Sequence, residues 1–121
     1  MDRMSLCDIT ECPITFALGI IGGKWHLPII FLLSKNNVLR YNELKKCLVG
    51  ITNMMLSQSL KELESSGILH RKQYPEIPPR VEYSLTENGC ALMPMVDELA
   101  KWGEVQMETR RPSGGCNPET V

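Results

Sequence analysis

The sequence lacks any apolar run of the length that a membrane-spanning helix needs. A span takes about 20 consecutive apolar residues, whereas the longest run here, Leu27–Leu33, is short and contains Pro28. Behind Asp2 and Arg3 there is no apolar segment of the signal-peptide type. These absences predict a cytoplasmic protein with no membrane partner, and a length of 121 residues suits one domain with a core of its own.

The sequence also lacks the short motifs of common enzyme and metal sites. It has no glycine-rich phosphate loop, no nucleophile elbow and no pair of carboxylates in a recognisable context. His26 and His70 show no ligand spacing with the cysteines, and Cys7 and Cys12 form a Cys-x4-Cys pair without a second pair to complete a zinc site. We therefore expect a protein that is not an enzyme, with no metal and no cofactor.

Cysteines are few and odd in number. There are five, at positions 7, 12, 47, 90 and 116. In a reducing cytoplasm this set indicates free thiols rather than a disulfide framework. Within the stretch C-D-I-T-E-C-P, Cys12 is distinguished because Pro13 follows it and suits the first position of a helix.

A strong net charge is absent too, but the charges are unevenly distributed. The net charge is −1, yet residues 35–80 hold eight basic side chains against four acidic ones, while residues 81–121 hold three against seven. A basic middle and an acidic flank suit a protein that presents one face to a polyanion and another to a partner chain. Charge alone supports this interpretation and the alternative, a solvated surface with scattered charges, equally well.

The periodicity of apolar residues predicts a mainly α fold of the α+β class. The predicted elements are helix 13–21, a second helix from Lys24 that Asn36 and Asn37 end, an edge strand at 38–40, helix 41–48, helix 52–66 with Thr52 as N-cap, strands 68–74 and 80–85, and a long C-terminal helical region capped by Thr86 and interrupted by Gly89 and Pro94. A short helix, a turn, a second helix and a basic hairpin are the parts of a winged helix-turn-helix. We predict an arm at 1–11, the winged domain with its dimerisation helices at 12–109, and a disordered tail at 110–121.

Helix 52–66 has two faces of different chemistry. Met55, Leu56, Leu60 and Leu63 form the predicted inward stripe. The outward face holds the candidate DNA-reading residues, which are Asn53, Met54, Ser57, Gln58 and Lys61. Asparagine and glutamine can pair with adenine through two hydrogen bonds, and lysine can reach guanine or a phosphate. Taken alone, such a face is more often only solvated, but its place between a short basic helix and a basic hairpin favours the DNA interpretation.

The predicted hairpin supplies a second set of basic residues. Its wing carries Arg71, Lys72 and Arg80, and the join P-E-I-P-P should make its tip stiff. Arginine in a wing can enter the minor groove, but Arg80 could equally form an ion pair with Glu76 or Glu82. The further phosphate-contact candidates are Arg40, Lys45 and Lys46, with solvated charge as the alternative for each lysine.

The terminal helices carry more apolar surface than one chain of this size easily covers. A stripe in the last helix and its companion in the first predict a dimer interface of Leu18, Leu92, Val96, Leu99 and Trp102. Trp25 and Trp102 are better explained as core or interface anchors than as ligand platforms.

Several blocks of the sequence resemble a known family. They are C-P-I-T-F-A-L-G-I-I-G-G-K-W, R-Y-N-E-L, I-T-N-M-M-L-S-Q-S-L-K-E-L-E-S-S-G-I-L, Y-P-E-I-P-P-R-V-E-Y-S-L-T-E-N-G and W-G-E. In order and over about residues 12–104, they resemble the HxlR-type winged helix-turn-helix transcription regulators of the MarR-like superfamily. The resemblance implies a homodimeric repressor on a pseudo-palindromic double-stranded DNA operator, with helix 52–66 for recognition and residues 74–80 as the wing tip.

The resemblance also implies a role for one thiol. Several family members use a cysteine directly before this proline as a sensor of oxidants or electrophiles, which corresponds to Cys12 here. A helix N-terminus favours the thiolate through its dipole and free N–H groups, whereas Asp8 and Glu11 oppose it. The expected effector is therefore an oxidant or another small molecule. A small thiol redox enzyme using Cys12 and a winged-helix module for protein contacts are the alternatives.

Overall fold

The computed structural model describes residues 12–110, so the predicted arm and residues 111–121 lie outside the described residues. The elements are α1 (Pro13–Ile21), α2 (His26–Asn36), β1 (Leu39–Arg40), α3 (Tyr41–Cys47), α4 (Asn53–Ser65), β2 (Leu69–Tyr74), β3 (Arg80–Leu85), α5 (Glu87–Cys90) and α6 (Met93–Arg110). This order and the small antiparallel sheet confirm the predicted winged helix-turn-helix fold.

Two prolines lie where a helix tolerates them. Pro13 is the first residue of α1, and Pro28 lies in the first turn of α2, where a missing N–H breaks no helical hydrogen bond. Helix α2 begins at His26 rather than at the predicted Lys24, because Trp25 is its N-cap. As predicted, α1 ends before Gly22.

The helix-turn-helix consists of α3, a tight turn and α4. Gly50 in the turn has φ of +95°, a conformation that costs glycine little and other residues much. The Thr52 hydroxyl accepts a hydrogen bond from the Met55 N–H at 3.1 Å and so caps α4 as predicted.

The inward face of α4 differs from the prediction at two positions. Leu56, Leu60 and Leu63 are buried as expected, but Met55 is 38% exposed and Ser59 is buried at 7%. The placement of Met55 on the inward stripe was wrong because helical spacing from Leu56 and Leu63 leads to position 59, whose serine a hydrophobic pattern passes over.

A three-stranded antiparallel sheet with the order β1-β3-β2 joins the helices. As predicted, β1 is an edge strand. Leu69 of β2 is buried, but the next four residues, His70–Gln73, are all exposed. Since successive side chains of a strand point to opposite faces, β2 is covered on neither face between Leu69 and Tyr74 and projects as a wing.

The hydrophobic core lies between α2, α3, α4 and the sheet. Its fully buried side chains are Ile29, Ile30, Leu33, Leu44, Leu56 and Leu63. Among residues 12–110 no single helix is long and apolar enough to cross a bilayer. Helices α1 and α2 meet the length and hydropathy criteria only when they are taken together, and this pair is bent by 74°.

The C-terminal helical region is two helices. Thr86 caps the short α5, where its hydroxyl accepts from the Gly89 N–H at 3.1 Å, and α6 starts anew at Met93. Pro94 therefore lies in the first turn of α6 and does not interrupt a helix, which corrects the prediction. Residues 12–91 form one compact unit and α6 belongs to a second. Helix α6 includes Arg110, one residue beyond the predicted domain end.

Candidate nucleic-acid interface

The outward face of α4 is exposed along the whole helix. Its predicted DNA-reading residues, Asn53, Met54, Ser57, Gln58 and Lys61, are all exposed. Met54 is 80% exposed at the start of the helix, where no core contact accounts for an apolar side chain. A helix with one buried and one polar, open face has the form required to enter a major groove.

The N-terminal end of this face is joined to α3 by Tyr41. The Tyr41 hydroxyl lies 3.1 Å from the Asn53 carbonyl oxygen, 3.2 Å from Asn53 Oδ1 and 3.3 Å from Ser57 Oγ. One tyrosine thus holds together the two helices of the helix-turn-helix at two candidate base-contacting residues.

The middle of the face is joined to α2 through an acidic residue. Gln58 Nε2 donates to Glu62 Oε2 at 2.8 Å, and Glu62 Oε1 lies 3.0 Å from His26 Nε2. The other ring nitrogen of His26, Nδ1, lies 3.2 Å from the Ile20 carbonyl oxygen. The hydrogen bonds from Gln58 and His26 lower the pKa of the Glu62 carboxyl, while burial opposes them.

The wing holds Arg80 in a cluster of its own. Arg80 Nη2 lies 3.3 Å from Glu76 Oε2, its Nε lies 3.5 Å from Glu82 Oε2, and its guanidinium stacks 3.9 Å from the centre of the Tyr74 ring. The side chain is 29% exposed. The geometry therefore shows the ion pairs that were the alternative for Arg80, and a DNA phosphate would have to compete with two carboxylates for it.

The remaining basic candidates are more accessible to a DNA phosphate than Arg80 is. Arg71, Lys72, Arg40 and Lys46 are exposed, and Lys45 is half-buried. A cleft of about 500 Å³ separates the start of α3 from the wing, with Arg40 on one side and Arg80 on the other. Lys45 and Lys46 lie in the last turn of α3, where basic side chains also offset the helix dipole.

A comparison with protein families decides what this arrangement is. The family model described as HxlR-like helix-turn-helix matches residues 20–111, which is most of the chain. The chain belongs to the HxlR-like helix-turn-helix family.

Relatives of this HxlR-like chain are transcription regulators. An HTH-type transcriptional regulator of Halalkalibacterium halodurans is 46% identical over 96 residues, covering 79% of this chain and 85% of that protein. A MarR-family regulator from Porphyromonas gingivalis W83 has a TM-score of 0.75 at 45% identity, covering 84% of this chain and 96% of that one. The redox regulator HypR in its oxidized form has a TM-score of 0.74 at 44% identity, covering 78% and 96%. The HxlR-like chain is a transcriptional regulator of the HTH type.

Two helices of the HxlR-like chain present apolar side chains to solvent. In α1, Phe16 is 71% exposed and Leu18 is 54% exposed, and in α6 Trp102 is 61% exposed. Ile14 in α1 and Met95, Leu99, Val105 and Met107 in α6 are also exposed. Of the predicted interface residues, Leu92 is half-buried and Val96 is only 3% exposed, so Val96 has almost no surface left for a partner.

Cys12 is the N-cap residue of α1 and is half-exposed. Hydrogen bonds from the Thr15 and Ile14 backbone N–H groups lower the pKa of the Cys12 thiol, and burial opposes them. Free thiols are also present at Cys47 and Cys90, both exposed. Across residues 12–110 no three His, Cys, Asp or Glu side chains are grouped as metal ligands.

Sequence reasoning missed three residues of this surface. They are Tyr41, His26 and Glu62, which received no role in DNA binding. The i,i+4 spacing of Gln58 and Glu62 on one helix was a usable signal. The links from Tyr41 to Asn53 and from His26 to Glu62 depend on how helices pack, which spacing along the chain does not encode.

Proposed function

We propose that this protein is a homodimeric repressor that binds a pseudo-palindromic DNA operator in the cytoplasm. In this proposal α4 enters the major groove of each half-site, and the wing residues Arg71 and Lys72 contact the backbone beside it. Two half-sites then lie about one helical turn, ~34 Å, apart, because a two-fold dimer presents its recognition helices at that spacing.

The observation that carries this proposal is the open polar face of α4. It is held from α3 by Tyr41 and lies between exposed basic residues of α3 and of the wing. A protein-interaction module has no need of two exposed amide side chains on this helix, whereas base recognition does. Membership of a family of HTH-type regulators supports the same function.

The test is selection of bound sequences from random duplex DNA with the purified protein, followed by fluorescence anisotropy on the enriched site. We expect an inverted repeat and a steep loss of affinity with salt. Gln58→Ala should relax the preference at one base pair in each half-site, while Lys72→Ala should weaken binding to all sequences. Recovery of no sequence motif would contradict the proposal.

The role of Arg80 can be separated in the same assay. Because Arg80 is paired with Glu76 and Glu82, we assign it to the rigidity of the wing rather than to a phosphate. Arg80→Ala should therefore leave the slope of affinity against salt unchanged, whereas Lys72→Ala should reduce it by about one phosphate contact. A reduced slope for Arg80→Ala would restore the direct DNA contact.

We further propose that modification of Cys12 releases the repressor from DNA. The thiolate attacks an oxidant or electrophile, and in disulfide formation two thiols lose two protons and two electrons to an oxidant such as diamide. The lowered pKa of Cys12 supports this proposal, and so does the fold shared with the redox regulator HypR. The described thiols that could partner Cys12 are Cys47 and Cys90.

Operator binding with and without diamide tests the thiol proposal. Wild-type protein should lose binding with diamide and regain it with a reducing thiol, while Cys12→Ser should bind under both conditions. Peptide mass spectrometry then identifies the cysteine that joins Cys12. Equal binding by the wild type with and without diamide would contradict thiol control and leave the DNA-binding proposal intact.

A further inference from the structure

Glu62 is an acidic residue on the recognition helix with both carboxylate oxygens engaged by other side chains. Oε2 accepts from Gln58 Nε2 at 2.8 Å, and Oε1 lies 3.0 Å from His26 Nε2. An acidic residue so close to DNA repels phosphates, so its presence in the middle of a recognition helix calls for a function that outweighs this cost.

His26 fixes the Glu62 carboxylate from the protein interior. Its ring is buried and lies between two acceptors, the Glu62 carboxylate and the Ile20 carbonyl in the last turn of α1. A neutral imidazole carries one N–H and donates to one of these two acceptors, so it donates to both together only in the protonated form. Gly23 lies against the same ring, because a side chain there would approach its Nε2 to 3.0 Å. The imidazole thus has little freedom to turn, and Glu62 is held with it.

The carboxylate in turn decides which way the Gln58 amide faces. An ionised carboxylate only accepts hydrogen bonds, so the amide must present its NH₂ group to Glu62 and not its oxygen. One N–H is used in this bond. The second N–H and Oε1 remain, and they are the donor and acceptor that the N7 and N6 positions of adenine require in the major groove.

We propose that Glu62 is a positioning residue for base recognition, which orients the Gln58 amide while His26 anchors it to α2. This inference rests on the proposed function. A glutamine that is already oriented loses less side-chain freedom on binding its base than one that rotates freely. Glu62 therefore acts on the preference between operators rather than on attraction to DNA in general.

The decisive comparison is between Glu62→Ala and Glu64→Ala. Both variants remove one negative charge from α4, so both should bind random DNA somewhat more tightly than the wild type. The operator is compared with a copy altered at the base pair where Gln58→Ala relaxes the preference. For Glu64→Ala the ratio of the two affinities should equal the wild-type ratio, and for Glu62→Ala it should fall by about 2- to 10-fold.

The same substitution in a Gln58→Ala background tests whether Glu62 acts through Gln58. Glu62→Ala should then change the affinity ratio no further, because the side chain that it orients is gone. Thermal unfolding of each variant shows that the comparison is made on folded protein. A fall in the ratio that persists without Gln58, or an unchanged ratio in Glu62→Ala, would overturn the inference. Absence of base preference in the wild type would instead contradict the proposed function.

Discussion

At the scale of single residues, Cys12 shows how backbone geometry sets side-chain chemistry. Its thiol has no charged partner among the groups that lower its pKa, which are chiefly the Thr15 and Ile14 N–H groups at the open end of α1. These N–H groups have no helical acceptor and therefore stabilise the thiolate. Pro13 is responsible for this placement, because it begins the helix directly after the thiol.

We predict that Cys12 reacts with iodoacetamide at a lower pH when the chain is folded. Only the thiolate is alkylated, so the midpoint of the rate against pH follows the pKa of the thiol. Because the folded pKa is depressed, the midpoint should move to higher pH in concentrated urea. Mass spectrometry of the Cys12 peptide measures the rate separately from Cys47 and Cys90. Coincident midpoints for folded and unfolded chain would contradict the structure.

Tyr41 gives a second prediction at this scale. Its hydroxyl lies within 3.3 Å of three oxygens of Asn53 and Ser57, which it holds in place at the start of α4. Tyr41→Phe should lower the free energy of unfolding by about 1 kcal/mol, a typical value for one hydrogen bond. It should also reduce operator affinity several-fold more than affinity for random DNA.

Tyr74→Phe is the matched control for Tyr41→Phe. It removes a hydroxyl from the wing, where the ring stacks on Arg80, and leaves α4 untouched. Anisotropy with operator and random duplexes measures both variants. Equal effects of the two substitutions on the operator preference would show that Tyr41 has no special place in recognition.

At the scale of secondary-structure elements, α4 illustrates what a sequence can and cannot reveal. Leucine spacing and the Thr52 cap located the helix and its outward face, since both signals are local. The inner face holds Ser59 and not Met55. The sequence did not reveal this, because a hydrophobic pattern places methionine inside and serine outside. The predicted interruption of the C-terminal region exists, but it lies between Cys90 and Met93, because Pro94 can either break a helix or begin one, depending on the chain before it.

The candidate site was predictable to a similar degree and for the same reasons. The exposed side chains of α4 follow from the phase of one helix, so all five were placed correctly on the open face. The partners of those side chains come from other helices, as with His26 and Glu62, 36 residues apart. Arg80 shows the limit most clearly, because its local sequence allows both a DNA contact and an ion pair, and the ion pairs with Glu76 and Glu82 become visible only once the wing is packed.

Helix α4 also carries a pH-dependent contribution through Glu62. Its folded pKa is depressed chiefly by the Gln58 hydrogen bond and then by His26. A depressed pKa stabilises the fold at pH above the unfolded value, about 4.3, and this contribution disappears as the pH falls through the lower folded value. The stability difference between wild type and Glu62→Gln should therefore shrink on acidification.

Urea unfolding of the wild type and Glu62→Gln measures this difference in stability. The measurements run from about pH 7 to about pH 3, a range that includes the pKa of an unfolded glutamate carboxyl. Glu64→Gln is the matched control, since it makes the same chemical change on the same helix. A difference for Glu62→Gln that stays constant over this range would show that the two hydrogen bonds do not favour the ionised carboxylate.

At the scale of the whole molecule, α1 and α6 carry two exposed apolar surfaces that the fold of the single chain does not explain. Helices α1 and α6 each present large apolar side chains to solvent, among them Phe16 and Trp102. Together with the proposed two-fold symmetric operator, surfaces of this kind lead us to infer that a second copy of the chain covers them. The proposed dimer would also present two basic faces to DNA together, which offsets the net charge of −1 on each chain.

We therefore predict that Leu18→Glu combined with Trp102→Glu converts the protein into a monomer. Both side chains are more than half exposed in the single chain, at 54% and 61%, so the charges cost little in the monomer and are buried only in a dimer. Sedimentation equilibrium and light scattering give the mass directly. Affinity for the full operator should fall towards that for an isolated half-site, because the link between two binding events is lost.

The control for this experiment is Ile77→Glu, which places the same charge on a fully exposed apolar residue at the wing tip. It should remain a dimer, because the wing lies outside the proposed interface. Val96→Ala is a second control, which should change the stability of the chain but not its oligomeric state. Val96 is buried within the single chain, so its truncation should lower the free energy of unfolding by about 1–2 kcal/mol without changing the mass. A dimeric double variant, or a monomeric Ile77→Glu, would place the interface elsewhere on the molecule.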